Sequence, residues 1–306
     1  MTASPPTFRF APSPNGRLHA GHALSALVGH ELARRNGGRF LVRIEDIDPD
    51  RSRESHVASI LDDLGWLGLS WEEPVMRQSV RFQTYGSAIE RLRRQGVLYP
   101  CWASRREVDA FSRDRGFGTD PDGAQLYPGI WRDRAGEDVT DMLSTELPHA
   151  MRIDMAQALR VAQRKAPRWP LTFRELSGDG QLQEIPANPE VWGDAIIVRK
   201  DTPASYVLAV VVDDAAQGVT HVTRGMDLQP STGLQRLLQV LLDLPEPVYH
   251  HHRLVTDAQG RKLSKSENAR ALAELRAQGV TPAELRSIIG FGVCDVPDLP
   301  DHVLIP

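Results

Sequence analysis

Apolar positions along the chain begin with a short run over Thr7 to Ala11, which predicts a strand. A turn rich in Pro, Ser and Gly follows, and then Leu24, Leu27, Val28 and Leu32 recur at helical spacing until Gly37 and Gly38 stop the pattern. Arg39 to Ile44 predicts a second strand, so the first 45 residues predict a strand, crossover helix, strand unit that opens a parallel sheet. Val57, Ile60, Leu61 and Leu64 mark another helix, and Phe82, Tyr85, Ile89 and Leu92 mark one that ends at Gly96. Over 97–193 the pattern loosens around Pro100, Pro121, Pro128, Pro148 and Pro167, and this stretch is expected to be an irregular insertion. Strands are predicted again at Ala195 to Arg199 and Tyr206 to Val212, where the sheet is expected to resume. A strongly apolar helix follows with Leu234, Leu237, Leu238, Leu241 and Leu242 on one face. The last stretch reads as loop and short helices with Leu272, Leu275, Leu285 and Ile289 as core positions.

The expected organisation is therefore a catalytic domain in two halves, 1–96 and 194–253, the insertion 97–193 between them, and a tail over 254–306. The fold class is α/β, a Rossmann-type doubly wound parallel sheet with an irregular insertion and a short C-terminal helical region. No internal repeat or low-complexity tract occurs. A chain of 306 residues with 41% apolar and 25% charged residues can bury a real core, which excludes disorder, a collagen-like repeat and a small disulfide scaffold. Cys101 and Cys294 are the two cysteines, so a cysteine-only zinc cluster cannot form and a reducing cytoplasm is the expected location. Apolar stretches such as Val207 to Val212 are too short to span a bilayer, and the N-terminus lacks a signal-like apolar core. Thirty-six Lys plus Arg against forty Asp plus Glu give a net charge of −4, which argues against generalised binding to nucleic acid. The stretch 91–170 departs from this, with fourteen basic and eleven acidic residues, a local +3 that is almost all arginine.

Two motifs carry chemistry. Pro12-Ser13-Pro14-Asn15-Gly16-Arg17-Leu18-His19-Ala20-Gly21-His22 lies between the first strand and the first helix, where backbone N–H groups and the helix dipole favour phosphate. His19 and His22, one turn apart, can both point at a triphosphate, and Gly21 removes a side chain that would block a purine ring. Lys262-Leu263-Ser264-Lys265-Ser266 follows Gly260 in a loop. Lysines on such a loop can close over a reacting phosphate and neutralise its developing charge.

In this order and at this separation, the motifs resemble the class I aminoacyl-tRNA synthetases, whose signatures are a His-x-Gly-His turn and a Lys-x-Ser-Lys-Ser loop. Arg9 to Pro14, Gly38-Arg39-Phe40 with Arg43 to Asp48, Val211 to Asp214 and His221 to Gly225 look like the glutamate branch of that class. The resemblance implies that Arg9 and Arg224 hold the glutamate side-chain carboxylate, because a guanidinium fork matches two oxygens and a neutral amide leaves it unpaired. It further implies Glu45 for the α-ammonium group, with Ala11, Ser13 and Tyr206 completing the amino-acid pocket. Pro12, His19, Gly21, His22 and Lys265 would bind ATP, accompanied by Mg²⁺, and His19, His22, Lys262 and Lys265 would be the catalytic set.

Forty residues follow Ser266 (306 − 266), too few for the anticodon-binding domain expected of a full glutamyl-tRNA synthetase. In this the chain resembles the truncated subfamily of the branch, which attaches glutamate to the queuosine base of tRNA(Asp); Ser205 to Asp214, Gln217-Gly218 and Arg224 to Leu228 look closest to it. The implied partners are glutamate, ATP and queuosine-containing tRNA(Asp), with no membrane and no obligatory protein partner. Many members carry a zinc site, but here Cys101 and Tyr127 stand beside Ala103 and Trp131 where two further cysteines are expected, so no metal site and no zinc are expected. The consecutive His250, His251 and His252 are not expected to replace it, since neighbours on a strand face opposite ways. Three other readings stay open at this point: a truncated glutamyl-tRNA synthetase charging the 3′ end, a nucleotidylyltransferase, and a catalytically silent tRNA-binding paralogue.

Overall fold

The computed structural model describes residues 5–134, 136–256 and 270–300. In chain order the elements are β1 (Thr7–Phe10), α1 (Ala20–Arg35), β2 (Arg39–Ile44), α2 (Glu54–Trp66), β3 (Glu72–Arg77), α3 (Phe82–Arg94), β4 (Leu98–Cys101), α4 (Arg105–Asp114) and α5 (Gly136–Ser144). They continue with β5 (Ala150–Ile153), α6 (Met155–Lys165), β6 (Thr172–Leu176), β7 (Leu182–Pro186), β8 (Ile196–Val198), α7 (Tyr206–Ala216), β9 (His221–Gly225), α8 (Ser231–Leu241), β10 (Val248–His252), α9 (Leu272–Ala277) and α10 (Pro282–Ile288).

Strands β1, β2 and β3 pair in parallel, and β9, β10 and β6 pair in parallel with β7 antiparallel at the edge. Just before β9 the Thr220 amide donates to the Thr7 carbonyl at 3.0 Å, so β1 and β9 lie side by side and the two sets form one layer. The order across it is β3-β2-β1-β9-β10-β6, which reverses direction between β1 and β9 and opens a crevice there for a ligand. Both faces are covered, as a parallel sheet requires. On one side Phe8, Phe10 and Val42 pack with Leu24, Leu27 and Val28 of α1; on the other Val222, Tyr249 and Phe173 pack with Leu208, Leu234 and Leu238 of α7 and α8. Helix α8 approaches the backbone so closely that a Cβ at Gly233 would sit 1.8 Å from the Ala187 carbonyl oxygen.

The structure differs from the periodicity reading in three places. Tyr206 to Val212 is not a strand but the first two turns of α7, which runs on through Asp213 and Asp214. Every residue from Leu208 to Asp214 is buried, and a run apolar on all sides carries no period by which helix and strand can be told apart. The strand near Ala195 exists as β8, but it pairs antiparallel with β5 in a separate sheet, β4-β5-β8, and takes no part in the parallel layer. Within the stretch expected to be irregular, α6 is capped by Asp154 and buries Met155, Ala158, Val161 and Ala162, and β6 pairs with β10 in the main layer. Prolines around these segments obscured them, although the Asp154 cap and the 155, 158, 161, 162 spacing were visible signals. No helix among the described residues is long and apolar enough to cross a membrane.

Candidate active site

The reversal between β1 and β9 is the floor of a cleft of about 530 Å³. Its lining brings together Arg9, Ala11, Pro12, Ser13, His19, Gly21, His22, Glu45, Tyr206 and Arg224, drawn from both halves of the sheet. Each arrives by a local rule. Arg9 and Arg224 come from β1 and β9, Glu45 follows the end of β2, and Tyr206 is the first residue of α7. The Glu45 amide donates to the Pro12 carbonyl at 3.0 Å, tying the loop after β1 to the loop after β2.

His19 and His22 cap α1 reciprocally. The Gly21 amide donates to His19 Nδ1 at 3.1 Å and the His19 amide donates to His22 Nδ1 at 3.2 Å. With Nδ1 accepting in both rings, each neutral imidazole carries its proton on Nε2, the donor that a phosphate oxygen needs. The rings lie 3.8 Å apart, and a Cβ on Gly21 would come within 3.1 Å of His19 Cε1, so the glycine makes room for the imidazole as well as for a ligand.

Arg9 is held by charge. Its Nε donates to Asp214 Oδ1 at 3.0 Å, its Nη2 to Asp214 Oδ2 at 3.3 Å, and its Nη1 to the Thr223 carbonyl at 3.4 Å. Two of the five guanidinium N–H groups remain for a ligand, so the expected open fork on Arg9 is already half engaged. Arg43, wholly buried, donates to Asp214 Oδ1 at 2.7 Å, to Gln217 Oε1 at 2.9 Å and to Glu45 Oε1 at 3.2 Å. Burial pushes the Glu45 carboxyl above its ordinary range, while Arg43 and Arg9 pull it down.

Arg224 is held by neutral groups. It donates to Thr232 Oγ1 at 2.5 Å, to Gln235 Oε1 at 2.9 Å and to His251 Nε2 at 3.2 Å. His251 Nδ1 lies 2.7 Å from Glu175 Oε1, which places the ring proton on Nδ1 and leaves Nε2 as the acceptor. Burial lowers the His251 pKa, in keeping with this neutral tautomer. Reading the sequence assigned no role to Asp214, Arg43, His251 or Thr232. Asp214 stood in the quoted Val211 to Asp214 segment, but only as resemblance.

Lys262 and Lys265 lie outside the described residues. The chain on both sides of them lies at the cleft: Arg253, Leu254 and Val255 line it, and the Leu272 amide donates to the Leu18 carbonyl at 2.8 Å, with Ala271 bridged to His19.

At the zinc position the residues present do not fit the metal. Cys101 Sγ donates to Tyr127 Oη at 3.4 Å, that oxygen also accepts from the Trp131 amide at 2.8 Å, and Val108, Ala103 and Ile130 pack around them. One thiol and a phenol pushed above its ordinary pKa by burial cannot close a four-ligand site. His250, His251 and His252 are all buried and bound elsewhere, to the Leu176 carbonyl, to Glu175 and to Ser25. Among the described residues no group of three or more His, Cys, Asp or Glu is arranged to hold a metal.

Comparison with known proteins agrees with this geometry. The family model for tRNA synthetases class I (E and Q), catalytic domain, matches residues 7–295. A glutamyl-Q tRNA(Asp) synthetase of Rhodobacter capsulatus is 44% identical over 285 residues, covering 92% of this chain and 99% of that protein. Another of that description, from Geobacter sulfurreducens, is 41% identical over 273 residues, covering 89% and 79%. Among solved structures, the glutamate-tRNA synthetase from Elizabethkingia anophelis superposes with a TM-score of 0.72 at 23% identity, over 96% of this chain and 67% of that one, and so shares its fold. A parallel sheet reversing at β1 and β9, the His19 and His22 turn, and a family match spanning almost the entire sequence lead to one conclusion: this chain belongs to the class I tRNA synthetases of the glutamate and glutamine type.

Proposed function

We propose that the protein activates glutamate with ATP and transfers it to the queuosine base of tRNA(Asp). The observation that carries the activation step is the convergence of Arg9, Glu45, Tyr206 and Arg224 with the capped pair His19 and His22 in a single cleft. Arg224 and the remaining edge of Arg9 take the glutamate side-chain carboxylate, Glu45 takes the α-ammonium group, and Ser13 and Tyr206 add neutral hydrogen bonds. His19 and His22 offer Nε2–H to the ATP phosphates at the N-terminus of α1, where the dipole also favours anions. Lys262 and Lys265 are assigned to the phosphates by their motif.

In the first step a glutamate α-carboxylate oxygen attacks the α-phosphorus in line, the bond to the bridging oxygen breaks, and pyrophosphate leaves with the bond electrons. In the second an acceptor hydroxyl oxygen attacks the acyl carbon, loses its proton, and AMP departs. No protein nucleophile takes part; positioning and charge neutralisation supply the acceleration. Mg²⁺ enters complexed with ATP as substrate, in line with its habit of binding through phosphates and few protein ligands.

The queuosine acceptor rests on the similarity to the glutamyl-Q tRNA(Asp) synthetases of Rhodobacter capsulatus and Geobacter sulfurreducens. A second groove of about 1060 Å³ supports the acceptor's route. It adjoins the cleft at Tyr206 and is lined by Arg105, Arg113, Arg152, Arg199 and Lys200, cations suited to loop phosphates, along with Asp109, Asp120, Asp122 and Asp201, the last of which pairs with Arg199. In this organisation two catalytic halves flank a segment that meets the acceptor, with β6 and β7 of the 97–193 stretch returned to the main layer, and a tail carries the lysine motif.

Pyrophosphate exchange with each of the twenty amino acids tests activation, and glutamate is expected to be the one that supports it; equal exchange with glutamine overturns the pocket assignment. Labelled glutamate is expected to pass to tRNA(Asp) containing queuosine and not to the same tRNA lacking it. Transfer to the 3′ end of tRNA(Glu) independent of queuosine overturns the acceptor.

A further inference from the structure

Four side chains from three elements form a line of alternating charge behind the cleft: Arg9 of β1, Asp214 of α7, Arg43 of β2 and Glu45 just beyond β2. The two end members line the cleft, whereas Asp214 and Arg43 do not. We propose that Asp214 and Arg43 are positioning residues for the amino-acid site, joining the carboxylate end and the ammonium end of the pocket into one preassembled unit through buried ion pairs. This rests on the reading of the cleft as a glutamate site.

The geometry leaves neither residue another task of equal weight. Asp214 accepts from both neighbouring guanidiniums, along the whole Nε and Nη2 edge of Arg9 and from Nη1 of Arg43. Arg43, with no exposure to solvent, splits its two Nη groups between Asp214 with Gln217 on one side and Glu45 on the other. Its Nε points toward Asp213 Oδ2 at 4.0 Å without a hydrogen bond. Asp213 is in turn held by Gln78, Arg81 and Tyr85, which fixes α7 against α3 and its approach. Charges buried this deeply are tolerable only in each other's company, so removing one member leaves its neighbour unpaired.

Two functional consequences follow. Arg9 has its orientation set before substrate arrives, and only its Nη1 and Nη2 end faces a ligand. Glu45 faces Arg43 from the end of β2, Arg9 from β1, and Asp214 and Tyr206 from α7. Its charge, needed to take an ammonium group, is therefore governed by members of the line with opposite signs: Arg43 favours the carboxylate and Asp214 opposes it.

The test uses the full chain with Arg43→Met, Arg43→Lys and Asp214→Asn, and reads glutamate-dependent pyrophosphate exchange against pH. The acid limb of kcat/KM for glutamate is expected to move up by about one unit in Arg43→Met, to return part of the way in Arg43→Lys, and to move down in Asp214→Asn. KM for ATP should stay within about twofold of wild type while KM for glutamate rises in all three. A purely structural role moves the melting temperature but cannot send the limb in opposite directions. Coincident limbs in folded variants, or limbs displaced the same way, overturn the proposal. Should Arg43→Met fail to fold, Asp214→Asn against wild type decides, and an unmoved limb rejects it. If wild type shows no glutamate-dependent exchange, the reading of the cleft falls instead.

Discussion

Arg9 and Arg224 face one cleft from adjacent strands, yet their surroundings are opposites. Arg9 sits in an ionic line and is matched by Asp214, whereas Arg224 is cradled by Thr232, Gln235 and the neutral His251. Among the described residues no carboxylate lies within ion-pair distance of Arg224, and its hydrogen-bond partners are neutral. A paired charge confers rigidity and a neutral cradle preserves attraction. In the proposed glutamate pocket the two halves of the sheet would contribute different things, orientation from β1 with β2 and selectivity from β9 with β10.

Truncating either arginine sharpens this contrast most. Arg224→Met and Arg9→Met should each lower kcat/KM for glutamate by about 30-fold or more, since losing a buried charged partner costs about 2 to 5 kcal/mol. Their stabilities should separate. Arg9→Met leaves Asp214 with Arg43 as its remaining cation and should lose about 3 kcal/mol in denaturant unfolding, the scale of a broken buried pair. Arg224→Met leaves only neutral partners and should lose less. Equal losses in unfolding would erase the distinction between the two settings.

Acidification should also strain the halves at different pH. On β9 and β10, burial pushes His221 and His252 down to about 4 and lowers His250 and His251 as well. The unfolded chain takes up these protons at the ordinary value of 6.5, before the folded chain does, so their contribution is complete above 6.5 and shrinks as pH falls toward 4. Each such group can weaken the fold by up to about 1.4 kcal/mol per pH unit in that window. Asp214, held below the ordinary carboxylate value against the cost of burial, loses its contribution only at more acidic pH. Unfolding free energies should thus fall from about pH 6.5 toward 4, offset in part by Asp63, which burial raises to about 6, and His221→Gln should flatten the fall; a flat wild-type curve contradicts the histidine assignment.

The smallest expected effect is in the neutral cradle. Gln235→Met removes one of the three acceptors on Arg224 and should raise KM for glutamate about tenfold with little change in kcat, given about 1.5 kcal/mol for a hydrogen bond to a charged group. A fall in kcat with KM unchanged would show that Gln235 acts on the transition state. Chelation is expected to change nothing once Mg²⁺ is in excess, and one tightly bound zinc per chain on elemental analysis would reopen the Cys101 site.

Much of the site was legible because its residues lie in short local motifs. Arg9 within Arg9 to Pro14, His19 and His22 at a strand-to-helix turn, and Glu45 at the end of a strand each carry a local signal, and the fold brings them to one cleft. Asp214 and Arg43 stood inside segments that resemble the family, but nothing local assigned either a role. Their partners lie up to 205 residues away in sequence, and a charge in an apolar stretch cannot announce whether it meets a cation or water. His251 likewise read as one of three consecutive histidines, and only the placement of Glu175 on β6 explains which tautomer it holds.

By itself the sequence determined the opening strand, helix, strand unit, the glycine stops after its first helices, the chemical types available to the cleft and the family, because these depend on local pattern and on residue identity. Tertiary structure alone decided that Tyr206 to Asp214 is a helix, that β6 joins the main layer beside β10, and that one arginine meets a carboxylate while the other meets neutral acceptors. The reason is physical. A segment buried on every side is shaped by what packs against it, and a buried charge is defined by its neighbour, so neither property is written in the residues nearby.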